Sequence, residues 1–271
     1  MLDGVGVFAT IGTLCLASAA WPLMRGLRAA RGTPLWPTVL WLSAAWLAGL
    51  AVGPGLLAGY AYRPWLHIAL ALAACAGVSV LGARRPGLGA WNFVTLGLLA
   101  VLLLPLLEQR WNAQHWGLDA PRTAFLAVVL LVGVVNFLPT RWGLWASVAG
   151  ACFTMGVIVL ARTDIAPETA ARLVAAALGG LGLACWGAWL VLRRRSSAGP
   201  VDRIWLAFRD RFGLVWARRV QEQFNQAALH AQHAARLSWP GLVGDEKQQE
   251  QLRELLLAVL KRFGVQDRAS T

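Results

Sequence analysis

Seven long apolar stretches occupy the first 192 residues, and at Arg193, Arg194 and Arg195 the chain switches to a charged, helix-periodic tail. So much uninterrupted apolar length is tolerable only in a bilayer, where every backbone polar group must be satisfied within the span. The expected spans are residues 4–24, 36–60, 66–83, 90–107, 123–140, 142–161 and 173–192. Most reach the ~17–25 residues that a tilted helix needs to cross the hydrocarbon core. The fifth and sixth are so close that they must form a tight helical hairpin. Gly53, Pro54 and Gly55 either kink the second span or end it. The fold class that follows is all-α. Residues 1–192 form a polytopic bundle of about seven spans, 193–200 a basic flexible joint, and 201–271 an amphipathic two-helix cytoplasmic tail.

Composition agrees with a membrane chain. It is 58% hydrophobic and only 14% charged, against roughly a quarter charged in soluble domains. The net charge of +12 divides into +6 over residues 1–192 and +6 over residues 193–271, so neither part is a polybasic tail alone. Basic excess implies anionic partners, either phospholipid headgroups or nucleic acid. Cys15, Cys75, Cys152 and Cys185 each lie inside an apolar stretch with no C-x-x-C spacing, which makes them small buried hydrophobes and leaves neither disulfide nor zinc. The first charge, Asp3, precedes the first apolar run and the Arg residues follow it, so this run is expected to be retained as a helix.

The loops set an orientation. Arg25, Arg28, Arg31, Arg84, Arg85, Arg141 and the Arg193 triplet fall on one side with no acid among them, while the charges of the other side cancel. By the positive-inside rule the N-terminus is extracytoplasmic and the tail cytoplasmic, in an inner (plasma) membrane, and an odd number of spans is required. Trp21, Trp36, Trp65, Trp91, Trp111, Trp116 and Trp142 sit near span ends, where an indole bridges acyl chain and headgroup.

The spans exclude several functions. No Asp, Glu, Lys or Arg lies well within them, which argues against pumps, proton-coupled carriers and voltage sensors. Residues 1–192 contain no lysine for a retinal Schiff base, and His67 is the one histidine in the spans, which disfavours bis-histidine haem. Gly49/Gly53, Gly55/Gly59, Ala146/Gly150, Ala175/Gly179 and Gly180/Ala184 are small pairs four apart, the spacing that lets helices approach closely; a hinge at Gly179, Gly180 and Gly182 is the alternative. Asn136 and Thr154 are expected to bond to a neighbouring helix or their own backbone. On the outer side, Glu108, His115 and Asp119 share one loop that His67 could approach, a set able to do acid and base work but lacking any supporting motif.

In the tail, Asp202 can cap a helix whose Ile204, Phe208, Phe212, Val215, Trp216, Val220 and Phe224 recur at helical spacing. With Arg193, Arg194, Arg195, Arg209 and Arg211 beside it, this aromatic face suits either an anionic headgroup layer or docking on protein. A second helix is signalled by an Asp245/Gln248 capping box, a stripe of Leu252, Leu255, Leu256, Val259 and Phe263, and Gly264 at its end. Its balanced charge points to protein contact. A turn at Pro240–Gly241 would fold the two helices into an antiparallel hairpin.

The block Phe208-Arg209-Asp210-Arg211-Phe212-Gly213-Leu214-Val215-Trp216 resembles the cytoplasmic segment of a family of uncharacterised bacterial multi-pass membrane proteins. The resemblance implies the membrane class and carries over no catalytic or binding residue. The expected function is a non-enzymatic scaffold, anchor or sensor acting through its tail, with the bilayer, anionic headgroups and a protein as partners and no cofactor, metal or nucleic acid. A small-solute or lipid permease and a membrane enzyme with an outer site are the alternatives.

Overall fold

A computed structural model describes residues 4–58, 62–84, 88–111, 117–193, 199–244 and 249–264. Among them, seven segments are long and apolar enough to cross a bilayer, so the chain is a multi-pass membrane protein with an all-α bundle.

The first span is a pair, α1 (Gly4–Ser18) and α2 (Ala20–Ala30). Pro22 has no N–H to give the Ser18 carbonyl, and its ring crowds that turn. The helix therefore tightens at Ala19, whose N–H bonds to the Leu16 carbonyl at 3.0 Å. The segment then continues past the expected end at residue 24. In α3 (Trp36–Leu57), Pro54 does not end the helix. One further turn forms, closed by the Ala58 N–H on the Pro54 carbonyl at 2.9 Å.

The remaining spans are α4 (Tyr62–Leu81), α5 (Leu88–Trp111), α6 (Ala120–Phe137), α7 (Gly143–Ala161) and α8 (Pro167–Arg193). Helices α6 and α7 form the expected hairpin. Helix α1 packs between α8 and α3, α3 lies on α4, and α4 meets α6 and α7; α7 returns to α8, while α5 leans on the outside of α4.

Small residues bring the backbones close at several of these contacts. A Cβ at Gly12 would stand 2.3 Å from the Ala175 carbonyl oxygen, one at Gly182 2.5 Å from that of Cys15, and one at Gly53 2.1 Å from Thr13 Oγ1. Helix α8 runs unbroken through Gly179, Gly180 and Gly182, so these glycines serve close approach and no hinge interrupts the helix there. Many large apolar side chains face outward, with Phe93 78% and Leu144 68% exposed, while Leu70, Leu126 and Leu160 fill the core between the helices. Not every indole is only an interfacial anchor: Trp91 donates to the Val78 carbonyl at 3.1 Å and Trp46 to that of Leu16 at 2.8 Å, each joining two helices.

The tail folds onto one end of the bundle. Helix α9 (Pro200–His230) starts with Pro at its first position, where the missing N–H costs nothing. Asp202 is therefore not the cap that the sequence suggests. It lies inside the first turn, and its carboxylate accepts the Leu242 N–H at 2.7 Å. The expected Pro240–Gly241 turn is the tip of a short antiparallel hairpin, β1 (Arg236–Leu237) and β2 (Leu242–Val243). Helix α10 (Gln249–Leu260) follows, extended by a 3-10 turn at Lys261–Phe263 and ended by Gly264 in the left-handed conformation. The Asp245/Gln248 capping box lies outside the described residues.

Candidate functional site

Two places gather chemistry-bearing side chains: the seam between tail and bundle, and a groove at the opposite end.

At the seam, α9 must bend, and it bends at Gly213, whose φ of 76° and ψ of −170° break the helix. Glycine is needed there twice over. Side chains rarely adopt that φ, and a Cβ would lie 2.2 Å from Asn136 Nδ2. Asn136, at the end of α6, supplies what the break removes: its Oδ1 accepts the Val215 N–H at 3.1 Å and its Nδ2 donates to the Phe212 carbonyl at 3.4 Å. The expected helix-to-helix role of Asn136 is thus directed at the tail.

One turn earlier, Asp210 is 1% exposed and held between two arginines. Arg209 donates to its Oδ1 through Nε at 3.1 Å and Nη2 at 2.9 Å, and Arg141, from the α6–α7 link, donates to Oδ2 through Nε. Arg209 is itself buried; its Nη1 donates to the Trp239 carbonyl at 2.9 Å, and the Trp239 indole donates to the Pro139 carbonyl at 2.8 Å. A buried carboxylate with several charge-assisted donors is secured, but loses heavily if one partner is removed.

The aromatic face closes over this network. Phe208 and Phe212 stack at 4.6 Å, and Phe263 stands edge-on to Phe208, Phe212 and Trp216 at 4.9 to 5.2 Å. The Trp216 indole donates to the Val80 carbonyl of α4 at 3.0 Å. Leu252 and Leu256 are fully buried in the same cluster, with Leu255 and Val259 packed against it. The face that could have met lipid or protein meets protein. Phe208, Phe212 and Trp216 are 2–3% exposed, packed within the chain itself. Phe263 and the leucines of α10, with Ala83 and Leu35 from the bundle end, supply the apolar surface that covers them. Arg211 points outward, Arg193 is exposed at the end of α8, and Arg194 and Arg195 lie outside the described residues.

At the other end, Asp119 caps α6 by accepting the Arg122 N–H at 3.0 Å, and Glu108 grips the Arg122 guanidinium with both oxygens at 2.6 and 2.9 Å. His67 is buried on α4, with Nε2 2.6 Å from the Leu102 carbonyl; a carbonyl only accepts, so Nε2 carries the proton. A groove of about 250 Å³ between α5 and α6 is lined by His67, Leu102, Pro105, Leu118, Arg122 and Phe125. Thus Glu108 and Asp119 do converge, on Arg122, and His67 floors the adjoining groove. His115 lies outside the described residues. Nearby, a hydrogen bond from Arg162 holds the exposed Asp164 carboxyl below the usual range. Among the described residues, no three His, Cys, Asp or Glu side chains form a metal-binding group.

Sequence reasoning missed Arg141, Trp239 and Arg122 as site residues. The one signal available was Gly213 inside a helical pattern, which marks a break or a close approach. No protein-family model, curated protein or solved structure matches the chain.

Proposed function

We propose that the protein is a non-enzymatic membrane scaffold or anchor whose tail is a fixed platform on the bundle. It sits in the inner membrane with its N-terminus extracytoplasmic and its tail cytoplasmic. The carrying observation is the seam: Asn136, Arg141 and Pro139 of the bundle hold Gly213, Asp210 and Trp239 of the tail. A segment bound by so many directional contacts presents its outer face in one orientation, as a docking platform requires. That face of α9 carries Arg203, Arg211, Arg219 and Glu222, all exposed. The orientation is supported by the Arg bias, since the tail closes on the ends that carry Arg31, Arg84 and Arg141.

The test is affinity purification in mild detergent of the wild type and of an Arg203→Glu/Arg211→Glu variant. A protein that co-purifies with the wild type and is lost from the well-folded variant supports the platform. The groove containing His67 and Arg122 favours a second reading, a small-ligand or catalytic site. If His67→Leu abolishes a cellular phenotype at normal abundance while the outer α9 variant leaves it intact, that reading replaces the scaffold.

A further inference from the structure

Helix α2 and the last turn of α8 form a second, differently built surface. The α1–α2 segment and α8 each run 27 residues, about 40 Å at the helical rise, whereas the hydrocarbon core is only about 30 Å thick. Tilt, or an end lying in a headgroup layer, takes up the difference. At the tail-bearing end the two helices touch, and the Trp186 indole donates to Ser18 Oγ at 2.9 Å. There, Arg25 lies over the Trp21 ring at 4.8 Å and Arg193 over the Trp189 ring at 4.7 Å. Arg28 is exposed on the same helix as Arg25, and α2 contains no acid.

We infer that this α2–α8 corner is a binding surface for anionic phospholipid headgroups, with Arg25, Arg28 and Arg193 contacting phosphate and Trp21 and Trp189 anchoring at the acyl boundary. Charge complementarity selects the occupant. A cation over an indole remains free to fork a phosphate on its other edge, and arginine suits that geometry. The chain's lipid contact is thereby placed on the spans, away from the aromatic face of α9. This inference is independent of the scaffold reading, because it needs no protein partner.

The experiment is native mass spectrometry of the full-length protein, purified in mild detergent with equal phosphatidylglycerol and phosphatidylcholine. Wild type should retain phosphatidylglycerol preferentially, and the preference should weaken with salt. Arg25→Gln/Arg28→Gln/Arg193→Gln should lower retention about fivefold or more, whereas Arg203→Gln/Arg211→Gln on α9 should leave it unchanged. Circular dichroism checks folding, and the triple Lys variant should retain most of the preference. Equal retention of the two lipids by wild type, a preference indifferent to salt, or loss confined to the α9 variant would each overturn the assignment.

Discussion

The spans and the tail of this chain are packed with different emphasis: both bury Leu and Val, but only the spans also turn many large apolar side chains outward. In the bundle, close backbone contacts run through Gly and Ala, with Ala71, Ala74 and Ala170 fully buried beside Val52, Leu126 and Leu160, while many other large apolar side chains, Phe93 and Leu144 among them, point outward. In the cap formed by α9 and α10 large aromatic and aliphatic residues are inside, with Trp205, Phe224, Leu252 and Leu256 at 0% exposure, and most charged side chains are outside, the paired Arg209 and Asp210 excepted. The difference is one of solvent. Lipid is as apolar as leucine, so burying a large side chain between spans yields no hydrophobic gain and close backbone approach holds the helices together. A cap facing water gains from each aromatic it buries, and fastens itself with hydrogen bonds and charge. The two regions should accordingly fail in different ways.

The largest effect is expected from Phe208→Ala/Phe212→Ala/Trp216→Ala, since each large-to-small change in a core costs about 3–5 kcal/mol. The cap should detach while the spans persist. Limited proteolysis in detergent should then release a tail fragment and leave the bundle whole, and simultaneous loss of both would show that they are one cooperative unit.

Asp210→Asn should come next, at about 3–5 kcal/mol, because Arg209 would remain buried beside a neutral amide. Its effect should appear as tail cleavage at lower temperature, with span helicity by circular dichroism unchanged. Gly213→Ala should cost about 1–3 kcal/mol from backbone strain, with the contact against Asn136 adding to it. Asn136→Ala, which leaves the backbone of the break without partners, should cost about 1–3 kcal/mol. If Gly213→Ala is neutral in the same proteolysis assay, the break is not what seats the tail.

The smallest effect is expected at the far end. Glu108 and Arg122 are about half exposed, and an exposed ion pair contributes about 0–1 kcal/mol. Glu108→Gln should leave the thermal midpoint near wild type. A large loss of midpoint would mean that the pair holds α5 to α6, and loss of phenotype at normal abundance would favour a ligand site in the groove.

Much of the fold was legible in the residues. The seven spans, the tight α6–α7 hairpin, the second tail helix and its Gly264 ending all follow from length, periodicity and capping residues, which are local. The outer site was legible only in part: Asp119 and Glu108 could be grouped by proximity in the chain, but that Arg122 would draw both together depends on how α5 and α6 are set. Helix ends moved where a residue at one position acted on a turn elsewhere, as Pro22 did on Ser18.

Sequence alone determined that this chain lives in a bilayer, because apolar length needs no partner to be recognised, and that its tail has one aromatic face. Only the tertiary structure decided what covers that face. Helical periodicity reports that a stripe is apolar and is silent about whether lipid or protein will take it. The answer depended on residues distant in the chain, with the Val80 and Pro139 carbonyls, the Asn136 amide and the Arg141 guanidinium brought to one end of the bundle to receive Trp216, Trp239, the break at Gly213 and Asp210.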